Sequence, residues 1–223
     1  MANQGSDIKP IDFYSWTTPN GRKVELILEE LNLPYNYHAI NIGTGDQFKP
    51  EFLKISPNNK IPAIVDSNTK SGTPLSIFES GAILIYLAKK YQARANINLL
   101  PDEESDPQGH SNVLQWLFWQ VGGLGPMLGQ LGHFRSQPEK IEYAINRYAT
   151  EAKRLFGVLD KQLESTGAFI AGPNYSIADI AAWFWSLALP RFGEEFVNAY
   201  PHVTAWIERV KQRPAAAKVF AKM

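Results

Sequence analysis

The chain has 223 residues, 44% of them hydrophobic, enough to bury a sizeable core and to form two domains. Lys plus Arg and Asp plus Glu each number 22, so no global charge directs it towards nucleic acid or anionic lipid. Cysteine is absent, which excludes a disulfide scaffold and a protein thiol nucleophile; any thiol chemistry must take its sulfur from a ligand.

Residues 1–10 read as a polar amino-terminal extension without the apolar segment of a secretory signal. No apolar run approaches the roughly 18 residues of a membrane helix, so the expected location is cytoplasmic. Ile11–Ser15 is predicted as a first strand, and Pro19-Asn20-Gly21 as the turn into a helix over Lys23–Leu31. Tyr35–Ile42 reads as a second strand, followed by a short helix around Pro50–Lys54. Ala63–Asp66 and Pro74–Phe78 form a hairpin across the turn-rich Ser67–Thr73, and Ser80–Lys90 closes the unit as a helix. The expected first domain is therefore a β-α-β-α-β-β-α unit over residues 11–91.

Residues 92–108, broken by Pro101, Pro107 and a run of acids, are predicted as a linker. Beyond it, residues 109–223 read as all-helical, clearest over Asn112–Gln120, Glu139–Leu163, Ile177–Leu189 and His202–Gln212. The Gly-rich stretch Val121–Gln130 has neither the Gly-Lys-Ser/Thr ending of a phosphate loop nor a preceding strand, so close packing or a bend explains it better. Ser176 and Asp179 have the spacing of a helix cap, and Asp179 is assigned there rather than to catalysis.

Several residues carry recognition chemistry. Thr18 and Asn20 stand at a strand-to-helix junction, where a neutral donor can favour a ligand thiolate without taking its proton; both can equally be caps of the first helix. If Ile61-Pro62 is cis, Ile61 presents its amide and carbonyl to an extended ligand. Ser80 can hold a carboxylate with its hydroxyl and the nearby helix amides, and Glu79 can engage an ammonium, or the pair can simply open a helix. Lys60 is either a solvated loop cation or the partner of a distal ligand carboxylate, an end that Gln47 can also reach. Tyr14 is assigned to packing, and Ser15 is a weaker thiol donor than Thr18 or Asn20.

Taken together, Thr18-Pro19-Asn20-Gly21, Gly45-Asp46-Gln47-Phe48, Ser56-Pro57-Asn58-Asn59-Lys60-Ile61-Pro62, Phe78-Glu79-Ser80-Gly81, Gln115–Pro126 and Tyr175–Asp179 resemble the glutathione transferase family, nearest its fungal Ure2p-like and bacterial nu-class branches. The resemblance implies an α/β thioredoxin-like domain followed by an all-α glutathione transferase domain, working as a homodimer with bound glutathione as co-substrate and no metal. It makes Pro62 the cis-proline, Ile61 the backbone clamp, and Glu79 and Ser80 the holders of the γ-glutamyl end. Gln47 and Lys60 fall where relatives contact the glycyl side or the peptide framework, Thr18 and Asn20 beside the cysteinyl sulfur, and Arg147 where an arginine reaches across the dimer.

The implied activity is attack of glutathione thiolate on small hydrophobic electrophiles or on mixed disulfides. Reductase activity as the primary function and a non-enzymatic glutathione-binding regulatory or ligand-storage protein are the alternatives.

Overall fold

The computed structural model describes residues 8–192 and 194–222. They fall into two compact units, the first holding the described residues up to Ile97 together with Lys222, the second Asn98–Ala221.

In the first unit, strand β1 (Ile11–Ser15) turns Ile11, Phe13 and Ser15 to a buried face, the two-residue period of a strand covered on one side. Helix α1 (Pro19–Glu30) begins at Pro19 rather than Lys23, because Thr18 caps it and Pro19 occupies a first-turn position that needs no N–H. Strand β2 (Tyr35–Ala39) runs parallel to β1, and Phe13 meets the rings of Tyr35 and Tyr37 edge-on at 6.0 and 5.6 Å. It stops short of the predicted Ile42. At Asn41 the chain turns instead: its amide donates to Asp46 Oδ2 at 3.0 Å and its Oδ1 accepts from Gly43 N at 2.9 Å.

A 3-10 turn (Asp46–Phe48) and the short helix α2 (Pro50–Leu53) lead to strand β3 (Ala63–Asp66), strand β4 (Leu75–Phe78) and helix α3 (Ser80–Ala95). The sheet order is β2-β1-β3-β4, with β3 antiparallel to both neighbours. Helix α3 outlasts the predicted Lys90 because Tyr91 is buried and donates to Asp66 Oδ2 at 2.6 Å; it ends where Asn96 adopts a left-handed φ of 52°.

Asp66 also receives Lys90 Nζ and Tyr86 OH, each at 2.7 Å. Burial alone would raise its carboxyl pKa, but the hydrogen bonds from Lys90, Tyr91 and Tyr86 more than offset this and hold it well below the carboxylate range. The cluster ties the far end of β3 to the second half of α3.

The second unit is helical: α4 (Pro107–Trp119), α5 (Gly125–Ser136), α6 (Glu142–Thr166), α7 (Ile177–Ser186), α8 (Glu194–Ala199), α9 (Pro201–Lys211) and α10 (Pro214–Phe220). The Gly-rich stretch forms a π turn (Gln120–Leu124) between α4 and α5. A Cβ at Gly125 would lie 2.7 Å from Gln120 Nε2 and 3.3 Å from Trp185 Nε1, so a larger residue there would displace those side chains.

Ser176 and Asp179 form the expected capping box on α7. The Asp179 carboxylate accepts from Ser176 N at 2.9 Å, Ile170 N at 3.0 Å and Trp206 Nε1 at 2.9 Å, which makes it the polar centre of this core. Burial pushes its pKa up to about 6 against those hydrogen bonds. Among the described residues no helix is long and apolar enough to cross a membrane.

Candidate active site

Strand register brings the predicted residues of the first unit to one edge of the sheet. Ser15, the last residue of β1, pairs with Ala39, the last of β2. Tyr14 and Phe78, at the C-terminal ends of β1 and β4, both pair with Ala63, the first residue of β3. The β1–α1 junction with Thr18 and Asn20, the loop after β2 with Gln47, the Ser56–Pro62 segment before β3, and Glu79-Ser80 after β4 therefore all leave the sheet at the same end.

At the β1–α1 junction, Thr18 Oγ1 accepts from Gly21 N at 3.2 Å. The cap uses the hydroxyl as acceptor, so its proton is still able to donate to a ligand. Gly21 is needed for the close approach: a Cβ would lie 2.2 Å from Ser15 Oγ and 2.7 Å from the Trp16 carbonyl. Ser15 is buried and donates to the Trp16 carbonyl at 3.3 Å, so its hydroxyl is directed inward. Tyr14 stacks on His38 at 4.5 Å and leans on Phe52 at 6.3 Å, a packing role.

The Ile61-Pro62 bond is cis. The β3 ladder starts only at Ala63, which leaves the Ile61 backbone outside the strand pairing. Pro62 is buried, Ile61 half-buried and Lys60 exposed. Ser56 Oγ donates to the Lys60 carbonyl at 2.8 Å and so fixes the approach to Ile61.

Across the sheet end, Glu79 sits at the start of α3 with φ 72° and ψ 117°, and its side chain does not cap the helix. A non-glycine residue held at such a φ costs on the order of 1–3 kcal/mol and persists only where its surroundings dictate it. The first turn of α3 thus begins without a side-chain cap from Glu79, beside the buried Ser80 hydroxyl, and a helix start of this kind can hold an anion.

Groups of these kinds at one sheet end can hold a short peptide with charged ends. Gln47 Oε1 and Asn59 Oδ1 are buried acceptors with no hydrogen-bond partner among the described residues. Arg147, by contrast, lies exposed on α6 in the second unit, where its charge helps hold the Glu151 carboxyl low, behind the larger effect of Arg154.

Two residues of this region escaped the sequence reading. Asn59 lay inside a quoted motif, but only its left-handed φ of 56° and its unpaired oxygen single it out. Lys23 entered the reading only as the start of the predicted helix, yet it is 1% exposed, with Nζ 3.5 Å from Ser80 Oγ. Its spacing from Leu26 and Ile27, both buried on α1, was the available signal.

Residues 13–95 match the glutathione S-transferase N-terminal domain and residues 126–214 the C-terminal domain. The chain belongs to the glutathione S-transferase family. It is 51% identical over 214 residues to the disulfide-bond oxidoreductase YfcG of Escherichia coli, with 95% of each chain covered. To the disulfide-bond oxidoreductase YghU of the same organism it is 42% identical over 222 residues, covering 94% of this chain and 73% of the other.

Among solved structures, a glutathione transferase family member from Pseudomonas fluorescens with two glutathione bound is 42% identical at a TM-score of 0.83, covering 97% of this chain and 94% of that one. Ure2p in complex with glutathione is 32% identical at a TM-score of 0.86, with 96% and 100% covered.

Proposed function

We propose that this protein is a glutathione-dependent enzyme that holds glutathione across the sheet end of its first unit, stabilises the thiolate, and presents it to a disulfide sulfur or an electrophilic carbon. One observation carries the reading: the cis Ile61-Pro62 clamp and the uncapped start of α3 with Ser80 stand at the same end of one sheet. A backbone clamp beside an anion site suits a short peptide with charged ends.

In this reading Ile61 pairs with the cysteinyl backbone, and Ser80 with the α3 amides holds the γ-glutamyl carboxylate. Glu79 engages the ammonium, while Gln47 and Lys60 meet the glycyl end. Thr18 and Asn20 donate to the sulfur; a hydrogen bond to a charged group contributes about 1.5–3 kcal/mol, enough to lower a thiol pKa by roughly one to two units. The protein works as a homodimer, with Arg147 of one protomer reaching the glutathione carboxylate held by its partner. The reaction belongs in the cytoplasm, where glutathione keeps thiols reduced.

Bound glutathione supplies the sulfur and its electron pair: attack on the glutathionyl sulfur of a mixed disulfide forms glutathione disulfide, breaks the original S–S bond, and lets the partner thiol leave with that bond's electrons and take up a proton. The chain's contribution is binding, orientation and thiolate stabilisation, since it has no cysteine for a protein mixed disulfide. The likeness to two disulfide-bond oxidoreductases supports disulfide reduction alongside transfer to small hydrophobic electrophiles.

Paired assays with a reactive aryl halide and a small glutathione mixed disulfide test the reading. Turnover of the mixed disulfide is expected. Glutathione binding with no turnover of either substrate would instead make the chain a glutathione-binding protein.

A further inference from the structure

Asn20-Gly21 is the one Asn-Gly pair in the sequence, and it lies in the first turn of α1, directly after the residue that caps that helix. Glycine after asparagine makes the amide of that asparagine the most easily lost, because a residue without Cβ hinders ring closure least and leaves the backbone its widest choice of conformation. Crowding holds Gly21 in place: an added Cβ would lie 2.2 Å from Ser15 Oγ and 2.7 Å from the Trp16 carbonyl, so a larger residue would displace the β1–α1 junction. A position that favours glycine therefore follows the asparagine assigned above to the sulfur.

One contact stands in the way of the reaction. The helix ladder begins with Arg22 N donating to the Thr18 carbonyl at 3.0 Å, so the Gly21 amide precedes it. Thr18 Oγ1 accepts that N–H at 3.2 Å. To attack the Asn20 side-chain carbonyl carbon, the Gly21 nitrogen must give up its proton and swing towards that carbon. The bond to Thr18 opposes both, since it stabilises the protonated amide and fixes the helical turn in which the amide points at the cap.

We propose that Asn20 is a deamidation site gated by Thr18: while Thr18 holds the Gly21 N–H the Asn20 amide persists, and opening of this first turn lets the ring close. The deprotonated Gly21 nitrogen bonds to Asn20 Cγ, and the side-chain nitrogen leaves as ammonia, taking the proton that Gly21 gave up. The cyclic imide then adds one water and opens to aspartate or isoaspartate. No electrons are exchanged, and water is the only co-reactant.

The modification stands on the cap geometry; its consequence rests on the glutathione reading above. In that reading a neutral donor to the sulfur becomes a carboxylate, which repels a thiolate and undoes its stabilisation.

The test follows the Asn20 amide by peptide mapping and mass spectrometry in wild type, Thr18→Val and Thr18→Ser, each incubated folded in mildly alkaline buffer. Thr18→Val removes the acceptor and should lose the Asn20 amide about fivefold faster than wild type. Thr18→Ser keeps an acceptor oxygen and is expected to stay within about twofold of wild type. Asn58, outside α1, is read from the same digests and should react at one rate in all three. Wild type unfolded in urea needs no variant: its Asn20 amide should be lost at least about tenfold faster than in the folded chain. For the consequence, glutathione bound to Asn20→Asp should titrate at or above the free thiol value of about 8.5.

Equal amide loss in wild type and Thr18→Val overturns the gate, as does an acceleration that Asn58 shares. If Thr18→Val fails to fold, equal loss from the folded and urea-unfolded wild type overturns it instead. A thiol that titrates in Asn20→Asp as it does in wild type overturns the consequence. Absence of glutathione binding to the wild type counts against the glutathione reading and the consequence drawn from it, while the amide rates still decide the gate.

Discussion

The Ser56 hydroxyl donates to the Lys60 carbonyl at 2.8 Å, and the Ser56 carbonyl accepts from Asn59 N, one residue before Lys60, at 3.1 Å. Ser56 is fully buried, and these bonds set the path by which the chain reaches Ile61. We predict that Ser56→Ala, which removes only the first bond, lowers stability by about 1 kcal/mol and weakens glutathione binding several-fold. Denaturant melting and calorimetry on the same sample read both effects; an affinity equal to wild type would detach this loop from the site.

Ser80→Ala should raise the glutathione Kd about tenfold, because a hydroxyl bonded to a carboxylate contributes about 1.5–3 kcal/mol. Glu79→Gln keeps the side-chain shape but removes the charge facing the ligand ammonium, and is expected to weaken binding by a similar factor. A ligand shortened by its γ-glutamyl residue should bind both variants and wild type equally weakly. Discrimination that survives with the shortened ligand would refute the assignment.

Asp66 and Lys90 give a stability prediction with a pH sign. The Asp66 carboxyl is held below its ordinary value, so its contribution is complete above about pH 4 and is lost as pH falls towards its folded value. Lys90 is shifted the opposite way, burial being outweighed by its bonds to Asp66 and the tyrosines, so its contribution persists until strongly alkaline pH. Lys90→Met leaves a buried carboxylate with less compensation and should cost on the order of 3 kcal/mol at neutral pH. The gap to wild type, read by urea denaturation, should narrow below about pH 4; a gap that stays constant into strong acid would contradict the coupling.

Arg147→Ala tests the proposed partnership between chains. Glutathione affinity should drop about tenfold while the melting of the free protein stays within about 0.5 kcal/mol, as expected for an exposed helical side chain. Crystals of the glutathione complex in which Arg147 is remote from every ligand carboxylate would remove it from the site.

Much of this molecule was legible in its sequence. Alternation in Ile11–Ser15 and the spacing of Ser176 and Asp179 are local signals, and local physics decides the elements they begin, whereas Pro19-Asn20-Gly21, read as a turn, is the first turn of α1. Element ends were less legible because distant partners set them: α3 continues to Ala95 because Tyr91 reaches Asp66 on β3. Lys23 shows the limit of residue type alone: lysines are mostly exposed, but its spacing from the buried Leu26 and Ile27 places it on the packed face of α1.

The most direct test is an ultraviolet titration of the thiolate of glutathione bound to the wild-type protein and to Asn20→Ala. The account predicts a bound thiol pKa at least one unit below the free value of about 8.5, with most of that depression lost in Asn20→Ala while glutathione still binds. A bound thiol that titrates like free glutathione in the wild-type protein would contradict it.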